Sequence, residues 1–545
     1  MWWRKIHGSY MVVMLACGIV GGVVLGLVFR IGACNSLWWV VLALLLVTGA
    51  LLRPCVVMAV VALVAGMILG LFRVSSEVSG QEVLAGLVGK NVEISGVVRD
   101  DPDKDGRSYT LKLSELCVGE SCFDGSMYVS LYSAEEIERS DIITISGKVS
   151  NGFGVFGGTM YRANLVRITH AGESDLLLIT RNWFSGRVQE NLPEEESRLG
   201  LAYLLGMKNG LGDELAEVLR VVGLTHLVVA SGTHLSIIVR FVLKIFCKVS
   251  RFAGLFFSIL LILGFAGMIG WTASIMRAAL VTIFSLAAWY VGRRFVAWRL
   301  ILIVMAITLM IDPMFVVNVG WLLSFGAYAG ITIVRPHLVR IFYGKKKPPG
   351  VSEIILVTIS ATITCAPILL YFFGSISIIS LLANLLILPT MPIVMGLVFA
   401  TGVASFWPIL GFLLGKATAF LLDFHLFVMN FLGQQKMFLI TIEKNQSWVF
   451  LLYIPLIVFL VVSIAISKNI HVGRNYANQD NWAFDGFDEA VNFGGEIVER
   501  EEISEWAGNQ RGHNRSKNRR FDNAQNAKKA TTRRFEIKKH RKCQN

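Results

Sequence analysis

Residues 55–72 read CVVMAVVALVAGMILGLF, eighteen positions without a charge or a proline. A helix of that length approaches the ~20 apolar residues that cross a bilayer. Such runs recur along the chain. Ser9–Phe29 and Leu37–Leu51 precede this one. Leu227–Phe246, Ala253–Ile269, Trp271–Val291, Leu300–Ile311, Phe315–Val334, Ile354–Phe373, Ile379–Thr401, Phe406–Val428 and Trp448–Ile466 follow it. The pattern predicts a polytopic α-helical membrane protein with about twelve crossings. Leu300–Ile311 is short, and Pro389 and Pro392 interrupt their run, so some helices are expected to be broken or re-entrant. The first run is too long for a signal-peptide core, and no cleavage site follows it.

Composition agrees. Of 545 residues, 54% are hydrophobic and 16% charged, against about a quarter charged in average soluble domains. Mean hydropathy is +0.61. This excludes a soluble enzyme, a disordered chain and an outer-membrane barrel, whose strands alternate.

Lysine and arginine set the orientation. With the N-terminus inside, the inner segments hold fourteen basic residues. These are Arg4, Lys5, Arg53, Lys244, Lys248, Arg251, Arg293, Arg294, Arg299, Arg335, Arg340, Lys345, Lys346 and Lys347. The short outer loops hold Arg30, Lys436 and Lys444. A cytoplasmic-membrane protein with both termini cytoplasmic is expected, with residues 73–222 outside.

The expected organisation is N-terminal transmembrane helices over 1–72, an extracytoplasmic β domain over 73–180, amphipathic surface helices over 181–226, a membrane domain over 227–467 and a disordered tail over 468–545. Period-2 alternation in Val92–Ser95, Tyr109–Leu113, Tyr128–Leu131 and Ile143–Ser146, with a fifth strand near Met160–Ile168, suits a small OB-like barrel. Cys117 and Cys122 form either a disulfide, which an oxidising face would favour, or two free thiols. Pro193-Glu194-Glu195-Glu196 starts one surface helix. Asp213 starts another, whose Leu215, Val218, Leu219 and Val222 share a face and which Gly223 stops. The tail is acidic, then basic. It either solubilises the protein and fixes topology, or binds nucleic acid or anionic lipid.

Two motifs fail on inspection. Asp101–Gly106 begins like a calcium loop, but Lys112 stands where a bidentate Glu is needed. Gly411–Lys416 lacks the spacing of a phosphate loop. No His or Cys spacing suggests zinc, so neither a metal nor another cofactor is expected. With no nuclease or ATPase motif either, the chain reads as a channel or transporter rather than an enzyme.

Chemistry concentrates at Thr225-His226-Leu-Val-Val-Ala230-Ser231-Gly232-Thr233-His234-Leu-Ser236. Histidines, hydroxyls and a glycine cluster there at the opening of an apolar span. Polar groups at membrane depth face a cavity or another helix, so the block is either a path lining or an inter-helix hydrogen-bond network. Arg277 sits about two turns into a span, which costs at least ~2.5–3.5 kcal/mol unless an anion or polar cavity receives it. Asp423, a helix C-terminus or a translocated phosphate would serve. Asn318, Ser324 and Asn384 are further polar points, and Asn384 precedes Pro389.

The block HLVVASGTHLSIIV resembles the signature of the ComEC-type competence family, although Val229 and Thr233 depart from its commoner form. Ser274…Arg277-Ala278, Asp312-Pro313…Gly320-Trp321…Ser324-Phe325 and Ser380…Asn384…Pro389 agree in order and spacing. The resemblance covers roughly residues 10–465. It implies a channel for single-stranded DNA in natural transformation, with an OB-like domain after a few helices. On that reading His226, Ser231, Gly232, His234, Arg277, Ser324 and Asn384 are DNA-path candidates. Tyr109, Tyr128, Tyr132 and Tyr161 are candidates for stacking on bases. The insert from Val88 to Ile168 holds nine bases and twelve acids, which argues against strong DNA binding by the insert alone. Many members carry a metallo-β-lactamase-like domain. Without its His-x-His-x-Asp-His cluster here, the expected partners beyond single-stranded DNA and the lipid bilayer are a separate nuclease and cytoplasmic ATP-driven helicase or single-strand-binding proteins. Two rivals are a small-molecule secondary transporter, for which no internal repeat is visible, and an intramembrane enzyme using His226 or His234 as a base near Ser231.

Overall fold

Apolar sequence makes helices here, and the length of each run decides which of them can span. A computed structural model of the protein describes residues 8–469 apart from 31–36, 53–54, 171–174, 230–231, 293–295, 345, 347 and 436–438. The tail from residue 470 onward and Ser231 lie outside the described residues.

The first helices are α1 (Gly8–Phe29), α2 (Leu37–Leu52) and α3 (Val56–Leu87). Gly18 and Gly22 on α1 face Gly66 and Gly70 on α3. A Cβ at Gly18 would collide with the Leu63 carbonyl oxygen, and one at Gly66 with that of Leu15. Four-residue spacing of glycine on both helices lets the backbones touch, which replaces the hydrophobic drive missing in lipid. Its 32 residues make α3 about 48 Å long, so it outruns the bilayer. The helix passes the expected boundary at residue 72, and Leu84 enters the core of the β insert.

The insert comprises β1 (Asn91–Val98), β2 (Asp103–Asp105), β3 (Ser108–Val118), β4 (Ser121–Tyr132), β5 (Ile142–Asn151) and β6 (Gly158–Thr169). The strand order is β1-β5-β6-β4-β3-β2, and a β1–β3 pairing returns the sheet on itself. Only β4–β6 is parallel. Alternate residues such as Ile94, Leu111, Leu113, Val129, Leu131, Ile143 and Ile145 fill the interior. Tyr109 is among them, so it is a core residue and not a stacking surface. Asp103–Asp105 pairs with β3 as a strand and is no ion-binding loop.

Cys117 and Cys122 are register partners at the β3–β4 hairpin tip and are joined by a disulfide. Serine at both positions is expected to cost about 2 kcal/mol for so small a ring. Thiol labelling of membranes isolated under alkylation should find both cysteines blocked until a reductant is added. Free thiols at both sites would contradict the bridge.

Between the insert and the remaining helices lie α4 (Leu176–Gln189), α5 (Glu194–Leu205) and α6 (Asp213–Val222). Of the two helices expected at the surface, α6 buries only Leu219, Val221 and Val222. In α5, Ser197 and Leu199 through Leu205 are all buried. Together α4 and α5 make a hairpin wedged between later helices. Asn191 near its tip lies against the backbone of Gly415, and Gly200 lies against Val398 and Leu422. Apolar side chains cover α5 from Leu199 onward, while Glu194, Glu195 and Arg198 in its first turns stay exposed.

The membrane half follows as α7 (Thr225–Val228), α8 (Gly232–Phe246), α9 (Arg251–Ile269), α10 (Ala273–Tyr290), α11 (Ala297–Ile311), α12 (Val319–Ala329), α13 (Arg335–Tyr343), α14 (Gly350–Phe373), α15 (Ser380–Ile387), α16 (Met391–Ala404), α17 (Pro408–Gly433) and α18 (Tyr453–Asn469). A π-helical turn over Gly330–Val334 joins α12 to α13. One core gathers α4–α7 and α15–α17. A second joins α1, α3 and α10–α12, with α8–α10 beside it.

Among the described residues seven helices are long and apolar enough to span, or eight if α15 and α16, bent by 54°, count as one broken span. The protein is therefore polytopic, but the count of twelve is not reached. At 15 to 17 residues, α2, α8, α11 and α18 fall short of the ~20 needed.

Ion pairs seat the insert on one end of the helices. Arg99 pairs with Asp312 at 3.0 Å and Arg181 with Asp101 at 2.6 Å. Arg139 donates to the Met268 carbonyl at 3.1 Å. The turn between α9 and α10 makes room for it at Gly270 (φ +87°), where a Cβ would meet the guanidinium at 3.0 Å.

Candidate functional site

Arg277 lies one turn inside α10, after the tight turn at Gly270 and the N-cap Thr272. It is only 9% exposed. Its Nε donates to Ser324 Oγ on α12 at 2.6 Å. Ser324 in turn shares a hydrogen bond of 3.3 Å with Ser274, one turn before Arg277. The guanidinium lies 5.4 Å from the ring centroid of Tyr328, one turn beyond Ser324. Gly232, the first residue of α8, presents its Cα side to Arg277, whose Nη2 would be 3.8 Å from a Cβ there.

Three helices thus converge on one cation. No carboxylate pairs with Arg277 among the described residues. Hydroxyls and an aromatic face hold the guanidinium in place without neutralising it. The N-terminus of α8 adds its own partial positive charge beside it. The arrangement favours an anion.

Asp423, the acid expected to pair with Arg277, is elsewhere. It lies beside Glu196 of the α4–α5 hairpin. The reason is helix order. α17 packs with α5 and α16, whereas α10 packs with α8, α9, α11 and α12.

The other candidates divide. Gly232, Arg277 and Ser324 come together. His234 is buried on α8, two residues beyond Gly232. His226 stands on the separate short helix α7, where its Nδ1 meets the Gly223 carbonyl at 3.2 Å. It is exposed to solvent, yet the surrounding protein pushes its pKa below the ordinary histidine range against the raising effect of that carbonyl. The ring is therefore neutral at pH 7. Lys208, between α5 and α6, behaves alike. It is exposed, but desolvation, then the like charge of Lys112 on the insert, lower its pKa.

Asn384 is buried in α15, apart from Arg277, and its Oδ1 has no hydrogen-bond partner among the described residues. It marks the broken segment together with Thr390, whose hydroxyl meets His425 Nε2 at 2.7 Å. Sequence reasoning missed Tyr328, Thr390 and His425. Tyr328 was findable, since it follows Ser324 by four residues and so shares its helix face. Nothing local marked His425.

Arg277, Ser324, Tyr328, Asn384, Thr390 and His425 lie in the segment 203–466, which matches the family model described as Competence protein. This segment, just under half of the chain, is therefore similar to the competence protein family. The chain is also 26% identical over 205 residues to ComE operon protein 3 of Bacillus subtilis (strain 168), a match covering 36% of this chain and 25% of that protein. The match thus spans a quarter of that relative's length. No solved structure matches the chain. The competence segment contains both polar nodes, around Arg277 and around Asn384–Thr390–His425, whereas the β insert lies outside it.

Proposed function

We propose that this protein passes single-stranded DNA across the cytoplasmic membrane during natural transformation, with both termini cytoplasmic and an OB-like insert outside. The observation that carries the reading is Arg277, a buried cation held by Ser324 and faced by Tyr328 without a carboxylate among the described residues. The similarity of residues 203–466 to the competence family suggests DNA uptake, and a polynucleotide is the anion that role supplies. The residues assigned to its path are His226, Ser231, Gly232, His234, Arg277, Ser324 and Asn384. The protein works as a channel rather than an enzyme. A separate nuclease removes the other strand, and cytoplasmic ATP-driven helicase or single-strand-binding proteins draw in the emerging one.

Transformation frequency and internalised labelled DNA, compared between wild-type cells and cells lacking the chain, test the function. Loss of DNA internalisation with intact membrane integrity is the expected result. Normal internalisation without the chain refutes it. Topology has its own check. Single cysteines at Ser108 and Ser516 should label from opposite sides, Ser108 from outside, and outside labelling of both would overturn the map.

A further inference from the structure

Helix α3 presents one stripe to the insert. Glu77, Gly80, Gln81 and Leu84 recur at three- and four-residue spacing and so share a face. Leu84 enters the core of the insert. Gly80 lies so close to β4 that a Cβ there would collide with the Asp124 carbonyl oxygen. Gln81 donates to Met314 Sδ at 3.2 Å, in the turn between α11 and α12. Glu77 therefore stands where α3, the insert and that turn meet. It lies beyond Phe72, where the expected span ends.

Glu77 is only 8% exposed, and its carboxylate takes no hydrogen bond or ion pair among the described residues. The nearby cations are committed elsewhere. Arg73, one turn earlier, spends Nε and Nη2 on the Met310 and Ile311 carbonyls at 3.0 and 2.9 Å, and Nη1 on Ser76 Oγ at 3.2 Å. Arg99 pairs with one oxygen of Asp312, whose other oxygen accepts from the Met314 amide at 2.9 Å. Of the charges that act on Glu77, Asp312 and Asp124 balance Arg73 and Arg99. An ionised Glu77 would be a third acid with no cation left for it. Burying a carboxylate without hydrogen bonds or a counter-ion is costly, and a proton removes the cost. No group of three or more acids, histidines or cysteines able to hold a metal ion occurs among the described residues.

We propose that Glu77 is a proton-binding site and that its proton clamps the insert to the membrane helices, so that losing the proton loosens the junction of α3, β4 and the α11–α12 turn. Desolvation first, then the like charge of Asp312, push the Glu77 pKa up from its ordinary 4.5 to about 7, and Asp124 adds to this while Arg73 and Arg99 oppose it. Once the insert is released, water restores the ordinary value. The seated form thus holds the proton more tightly. Seating is fully favoured below about 4.5, weakens as pH rises, and is weakest above about 7. The proposed topology makes this the pH of the outer side.

The test uses the full-length protein in detergent micelles. Glu77→Gln is a neutral isostere of the protonated acid and should fold normally. At pH 8 it should resist heating better than wild type by about 3 °C or more. The gap should narrow toward pH 5. Hydrogen exchange places the loosening. After correction for intrinsic rates, wild-type amides in residues 91–99, 121–132 and 310–316 should exchange roughly tenfold faster at pH 8 than at pH 6. In Glu77→Gln these amides should not respond. Amides of α17 should not respond in either protein.

An equal pH dependence of wild type and Glu77→Gln overturns the proposal. So does a wild type more resistant than Glu77→Gln at pH 8, which would mean an ionised Glu77 with a partner. Misfolding of Glu77→Gln overturns it as well, because the neutral form is the seated form. A pH response spread evenly to α17 ends the clamp. None of these readings involves DNA, so the transport reading stands or falls separately.

Discussion

Arg277→Ala is expected to abolish DNA uptake while leaving the protein in the membrane in normal amount. The guanidinium holds no carboxylate among the described residues, so its removal strands no buried acid. What is lost is a charge-assisted contact to the passing phosphate, about 3 kcal/mol, which corresponds to roughly a hundred-fold in rate. Arg277→Lys should keep part of the activity, because a point charge still attracts phosphate although it cannot reproduce the planar hydrogen bond to Ser324. Asp423→Ala should not rescue Arg277→Ala, since Asp423 lies beside Glu196 instead. Transformant counts beside immunoblots of the membrane fraction decide the matter. Restored uptake in the double variant would make the arginine scaffolding and end its assignment to the path.

Gly66→Val should be the most damaging single change to the membrane fold. Any Cβ there strikes the Leu15 carbonyl oxygen on α1, and Gly18, Gly22 and Gly70 repeat the same close approach. Overpacking a backbone contact leaves no side chain able to yield, so a loss of about 3 kcal/mol is expected. Gly264→Val on α9 is the control, because a Cβ there meets nothing within 4 Å. Heating detergent-solubilised samples and measuring the monodisperse fraction by size exclusion separates the two. Equal thermal resistance would mean that the glycine contacts do not hold α1 to α3.

Much of this molecule is local and therefore legible in the primary structure. Apolar length announces the spanning helices, because a bilayer demands about 20 such residues irrespective of neighbours. Period-2 alternation announces the strands, because a pleated sheet with one buried face allows little else. Cys117 and Cys122 are close enough in sequence to meet across one turn. Arg277 stands out because an intramembrane charge always demands an account.

Other features depend on which elements become neighbours. Tyr109 and Tyr128 are both strand tyrosines, yet one fills the interior and the other joins an exposed cluster, since register alone decides the face. α5 carries three acids at its start and looked like a surface helix, but packing of α16 and α17 against it buries everything from Leu199 to Leu205. Asp423 was a reasonable partner for Arg277 by charge, and the separation of two helical cores keeps them apart. Residue identity and spacing along the chain settled what each segment is. Only the tertiary structure decided what each segment faces, because charge, stacking and backbone contact act over a few ångströms between residues far apart in sequence.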